Sequence, residues 1–195
     1  MSWNVRSNDT EVTMSRIPLD HPATPLTRAA EWYSRRTYGA VLDPGLALLH
    51  NRAVLATTAL AEAGVARWRR LDPTLKALAV MVASARVGCS WCMDFGYWEF
   101  HHRGVDPAKL RDVPRWRDSG VYTALERRVL EYAEAMTDTP PAVTDEMVES
   151  LRQQLSDAEL VELTAIVAVE NQRSRLNAAL GLTSQGFRAT CEVPA

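Results

Sequence analysis

Helix-start signals recur along this chain, and no strand signal competes with them. Asp72-Pro73 and Asp106-Pro107 each set a carboxylate acceptor ahead of a proline. The acceptor satisfies free N–H groups of a first helical turn, where the missing proline N–H costs nothing. Thr123-Ala124-Leu125-Glu126 and Ser156-Asp157-Ala158-Glu159 fit the capping box, in which hydroxyl and carboxylate each serve the other's backbone donor. Gly39, Gly64, Gly88, Gly104 and Gly181 fall where helices should stop. Between these marks, Leu125, Val129, Leu130, Tyr132, Ala133 and Met136 form one helical stripe. Leu160, Leu163, Val167, Asn171, Leu176 and Leu180 mark a long, largely buried helix. No alternating β-branched segment is bounded by tight-turn dipeptides. The spacing predicts an all-α chain of about seven to nine helices joined by short loops.

The 195 residues suit one domain at about 150 residues per domain. Residues 1–24 lack any sustained period and are expected to be an N-terminal arm, residues 25–183 the helical domain and residues 184–195 a C-terminal tail. A net charge of −2 offers no bulk attraction for nucleic acid or an anionic membrane. Apolar runs such as Leu78 to Ala85 stop far short of the roughly 20 residues that span a bilayer. The start, Met1-Ser2-Trp3-Asn4-Val5-Arg6, lacks the apolar stretch of a secretion signal, so a cytoplasmic location is expected. Three cysteines in a chain of this length argue against a disulfide scaffold.

Two of those cysteines form the most informative local pattern, Gly88-Cys89-Ser90-Trp91-Cys92. With Gly88 ending one helix, Cys89 starts the next, where free N–H groups and the helix dipole stabilise a thiolate. Cys92, three residues on, shares its face and lies within disulfide reach. One sulfur can attack and the other resolve, which is what two-electron dithiol chemistry needs. Two alternatives remain: a pair of buried small hydrophobes, and a zinc site. Zinc would need two further ligands, and the nearby His101 and His102 are adjacent on a helix and point apart. Trp91, Phe95, Tyr97 and Trp98 surround the pair with apolar surface suited to a core, a subunit interface or a pocket.

The Leu71-Asp72-Pro73-Thr74-Leu75-Lys76 helix start, the apolar helix and the Cys-x-x-Cys resemble the carboxymuconolactone decarboxylase superfamily, and within it the AhpD-like alkylhydroperoxidases. Glu170-Asn171-Gln172-Arg173-Ser174-Arg175-Leu176-Asn177 is similar to the family's closing helix, and the resemblance spans about Tyr38 to Leu182. It implies an all-α AhpD-like bundle assembled as a trimer or hexamer, with Cys89 and Cys92 as catalytic residues of a peroxiredoxin-like antioxidant oxidoreductase. The partners it implies are a small-molecule hydroperoxide or other small substrate and an external dithiol reductant; from the residues themselves, no nucleic acid, membrane, cofactor or metal is expected. The family also carries a glutamate twelve residues before the first cysteine and a histidine four after the second. Those positions are Ala77 and Gly96 here, so the proton relay is missing while the dithiol remains. The resemblance favours Cys92 as the attacking sulfur and the helix terminus favours Cys89; the sequence leaves the order open.

Three residues are candidates to support the thiols. Arg86 precedes Cys89 by three, against the plainer role of a solvated helix-end arginine. Glu99 shares the face of Cys92 but lies about 10 Å along the axis. Glu170 interrupts an apolar stretch and needs a partner, with Arg173 or Arg175 as a structural ion pair. Asp94 is expected to face away from Cys92. Cys191, in the tail, is expected to be a bystander. Two other functions compete with the redox one: a non-enzymatic helical oligomer that kept the fold, and a cofactor-independent lyase.

Overall fold

The computed structural model describes residues 15–192, apart from the side chains of Leu26 and Glu192. Residues 1–14, most of the expected arm, lie outside the described residues. Residues 15–24 contain no helix, and Arg16 ties them to the end of the long helix through its backbone N–H on the Leu180 carbonyl at 2.8 Å.

The described residues are all-helical. They comprise α1 Pro25–Tyr38, α2 Asp43–Leu49, α3 Arg52–Val65, α4 Pro73–Val87 and α5 Ser90–His102. After these come α6 Pro107–Asp112, a 3-10 turn Val113–Arg115, α7 Ala124–Thr137, α8 Asp145–Arg152, α9 Asp157–Ala179 and α10 Phe187–Glu192. That is more helices than the spacing predicts, because α2, α6 and α10 are too short to show a full apolar period. The strong signals hold. Asp72 caps α4 on the Thr74 and Leu75 N–H groups, Asp106 caps α6, and both capping boxes are formed at α7 and α9. Gly64 alone among the expected stops sits one residue inside its helix.

Helix α4 is apolar nearly all round, as a helix surrounded by others must be. It packs against α5, α7 and α9, and every residue from Ala77 to Ser84 is buried. Leu78 and Met81 of α4 meet Leu130 of α7 and Leu163 and Val167 of α9 in one core. At 1.5 Å per residue, the 23-residue α9 is about 35 Å long and reaches from that core to the start of α5. Helix α10 lies on α5. No described helix is long and apolar enough to cross a membrane.

Candidate dithiol site

The site is made where α4 stops and α5 begins. Gly88 takes the left-handed conformation, φ 80°, that ends α4. The N–H groups of both Gly88 and Cys89 then donate to the Ser84 carbonyl, at 3.0 and 3.1 Å. This turns the chain so that Cys89 becomes the N-cap of α5, with its Sγ accepting the Cys92 N–H at 3.2 Å. Cys89 and Cys92 are joined as a disulfide, their Cα atoms 5.3 Å apart. Both are buried. The Asn177 side chain on α9 donates from Nδ2 to Cys92 Sγ at 3.4 Å, a sulfur-length contact. Nothing local in the sequence links residue 177 to residue 92; only the crossing of α9 and α5 does.

A cleft of about 480 Å³ opens beside the pair, with Cys89 in its wall and Cys92 outside it. Its apolar lining includes Met81, Ala85, Met93 and Leu110. A second cleft, about 560 Å³, shares Tyr97, Arg111 and Arg188 with the first and adds His101 and Cys191.

The two vacant relay positions are packed shut. Ala77 is fully buried in the core. A Cβ on Gly96 would come within 2.7 Å of Met81 Sδ, so Met81, one turn after Ala77 on α4, fills the space a residue 96 side chain would use.

Asp94, expected to face away from Cys92, lines the cleft beside Cys89 and organises α10. Its buried carboxylate accepts the Gln185, Phe187 and Arg188 N–H groups at 2.9, 3.0 and 2.8 Å. Gln185 in turn takes the Trp91 indole N–H on Oε1 at 2.7 Å and donates from Nε2 to the Val41 carbonyl at 2.9 Å. Phe95 stacks on Trp91 and meets Phe187 edge-on, with ring centroids 4.9 and 5.3 Å apart. The stretch expected as a tail is therefore part of the site's wall.

Glu170 lies in the interior between α9 and α4. Its Oε1 accepts the Ser84 and Ser174 hydroxyls at 2.8 and 2.6 Å, and Arg173 sits 3.5 Å from Oε2. Burial outweighs these partners and pushes the Glu170 carboxyl up from its ordinary value. Ser84 joins this network to the thiols, since its carbonyl holds the Cys89 N–H. Burial also works against the Arg173 charge, but hydrogen bonding to Glu62 and the nearby carboxylates raise its pKa. Glu99 pairs with Arg103 at 2.5 Å, and desolvation raises its pKa. Arg86 pairs with Asp138 at 2.5 Å rather than touching either cysteine. Arg175 donates to the Thr137 carbonyl at 3.1 Å, so Arg173 supplies the Glu170 ion pair.

One cluster offers metal-type donors. His101, His102 and Cys191 each place a ligand atom within 4.8 Å of the others. Arg111 and Arg188 line the same cleft as His101 and Cys191, and two guanidinium charges there oppose a dication.

The carboxymuconolactone decarboxylase family model matches residues 52–135. The chain is 31% identical over 182 residues to the protein YnjA of Escherichia coli (strain K12), covering 93% of this chain and 95% of that one. Its fold matches an AhpD core structure, a peroxidase-related protein from Ralstonia eutropha JMP134, with TM-score 0.79 and 20% identity over 93% of this chain and 98% of that one. A protein from Agrobacterium tumefaciens, described as a putative antioxidant defence protein AhpD, matches with TM-score 0.62 and 29% identity over 68% of this chain and 90% of that one. By sequence and by fold, this chain belongs to the carboxymuconolactone decarboxylase family, in its AhpD-like superfamily.

Proposed function

We propose that the protein is a dithiol oxidoreductase that reduces hydroperoxides through Cys89 and Cys92. The observation that carries this is the bonded cysteine pair at the start of α5 with an apolar-walled cleft against Cys89. In the reduced enzyme Cys89 is the attacking sulfur, because the first turn of α5 directs an N–H at it and the cleft reaches it. Its thiolate attacks one peroxide oxygen and the O–O bond breaks. The alkoxide leaves and takes a proton as the alcohol, and Cys89 becomes a sulfenic acid. The Cys92 thiol displaces hydroxide from that sulfur, giving the disulfide and water. An external dithiol then returns two electrons and two protons. Asn177 orients Cys92 for the second step, and Glu170, through Ser84, positions the turn that carries Cys89.

The family resemblance, together with one exposed face, supports a homo-oligomer. Helix α3 carries apolar residues yet buries none of them, and Leu60 is 76% exposed. A second copy of the chain is the natural cover for that face.

The test is intact mass of the fully reduced protein after brief exposure to one equivalent of an organic hydroperoxide. Loss of two hydrogens is expected in the parent, with no such loss in Cys89→Ser or Cys92→Ser. Cys92→Ser should instead gain one oxygen on Cys89, and an oxygen found only on Cys92 in Cys89→Ser would reverse the assigned order. An unchanged parent mass would sink the redox function.

A further inference from the structure

We propose that Glu170 and the dithiol hold one negative charge between them, on Glu170 in the disulfide form and on Cys89 in the reduced form. This rests on the proposed function for the Cys89 thiolate and adds the group that balances its charge. Glu170, Ser174 and Asn177 are all buried and lie four and three residues apart, so they form one polar stripe on α9. The stripe meets the dithiol at both cysteines. Asn177 donates to Cys92 Sγ at 3.4 Å. The Ser84 hydroxyl, 2.8 Å from Glu170 Oε1, belongs to the residue whose carbonyl holds the Cys89 N–H. From Asn177 back to Glu170 is about 10 Å along the helix. At that separation in the interior, two negative charges shift a proton equilibrium about tenfold.

No cation is reserved for Glu170. Arg173 lies 3.5 Å from its Oε2, but the same guanidinium makes two hydrogen bonds to Glu62 of α3, and Glu99 of α5 also acts on it. Glu99 has a further partner in Arg103. The Ser84 and Ser174 hydroxyls support the Glu170 anion and burial opposes it, with burial the larger effect. A carboxyl so balanced takes a proton when a second negative charge appears nearby. The exchange closes the proton count in both directions. An external dithiol gives the disulfide two electrons and two protons: one proton makes the Cys92 thiol, the other neutralises Glu170, and Cys89 is left as the thiolate. On oxidation the hydroxide displaced from Cys89 takes the Cys92 proton. The proton that Glu170 releases then balances the one taken by the leaving alkoxide.

The experiment equilibrates the protein with dithiothreitol redox buffers between pH 6 and 9 and reads the disulfide fraction by mass. Where Cys89 is a thiolate and Glu170 of the disulfide form is ionised, the parent should take up two protons per two electrons and Glu170→Gln only one. In the reduced proteins, the pH midpoint for alkylation of Cys89 by iodoacetamide should fall by about one unit in Glu170→Gln, since a competing negative charge is gone. A residue that only held the turn in place would raise that midpoint when replaced. Ser174→Ala keeps the carboxyl and removes one hydroxyl, so its two-proton range should begin at higher pH. Equal proton counts in parent and Glu170→Gln, a Cys89 midpoint that stays or rises, or a range unmoved in Ser174→Ala would overturn the shared charge. If the proton counts differ as expected but a hydroperoxide leaves the reduced mass unchanged, the shared charge stands and the peroxide chemistry falls.

Discussion

Met81 occupies the space that a side chain at position 96 would take, with its Sδ 2.7 Å from where a Gly96 Cβ would sit. The family's histidine therefore cannot be restored by one substitution. Gly96→His should destabilise the fold by about 1–3 kcal/mol, the usual cost of overpacking a filled core. In urea denaturation, Gly96→His combined with Met81→Ala should cost less than the two single changes summed. Glu170 gives a pH-dependent case at the same scale. Its carboxyl is raised above the ordinary value of 4.5 by burial, so the folded state holds its proton more tightly than the unfolded chain does. The stability that Glu170 contributes is then full below about pH 4.5 and is lost as pH rises through its folded pKa. Glu170→Gln keeps a neutral polar group in the same place. The stability of the parent relative to Glu170→Gln should decline across that window and level off above it, and a difference that ran the other way would refute the buried, proton-retaining carboxyl. Cys89 and Cys92 were legible as a pair from spacing alone. Asn177 against Cys92 and Met81 against Gly96 were not, since each contact joins two helices with no local signal between them.

Between α5 and α10, one carboxylate holds the backbone of the joint and an aromatic cluster packs beside it. Asp94 holds three N–H groups of the segment that starts α10, and these are charge-assisted bonds in a buried setting. Asp94→Asn turns one acceptor into a donor facing donors. It should cost about 2 kcal/mol and release α10 locally. Hydrogen exchange should then speed up over residues 187–192 while α4 and α9 keep their protection. If α10 stays protected, its attachment comes from Phe187 and the aromatic cluster instead. Helix α4 shows the opposite case, in which the sequence was sufficient. Asp72 and Pro73 start it, Gly88 ends it, and the apolar run between them buries every residue from Ala77 to Ser84. Helix α10 escaped notice because six residues make fewer than two turns, too few for a period to stand out.

For the molecule as a whole, α4, α7 and α9 bury the core, while the α1 to α3 region is mostly surface in a single chain. Trp32 and Tyr33 on α1 are 68% and 58% exposed, and α3 has no buried residue. In the proposed oligomer, Leu60→Glu would put a charge into the contact between copies. It should lower the mass measured by light scattering to that of a smaller species and leave the far-ultraviolet helix signal unchanged. A parent protein already monomeric at micromolar concentration would remove the basis for that assembly.

The sequence by itself determined the helical class, the main helix starts and stops, and the placement of two cysteines on the first turn of a helix. Caps, prolines, glycines and apolar spacing act over a few residues, so a linear reading reaches them. The tertiary structure decided what surrounds the thiols. It set Asn177 on Cys92, filled the vacant relay space with Met81, joined Glu170 to Ser84, and folded the presumed tail back so that Arg188 reaches the cleft wall. Those choices depend on how α4, α5, α9 and α10 cross. Crossing is set by side-chain packing across tens to more than a hundred residues of chain, and no local pattern encodes it.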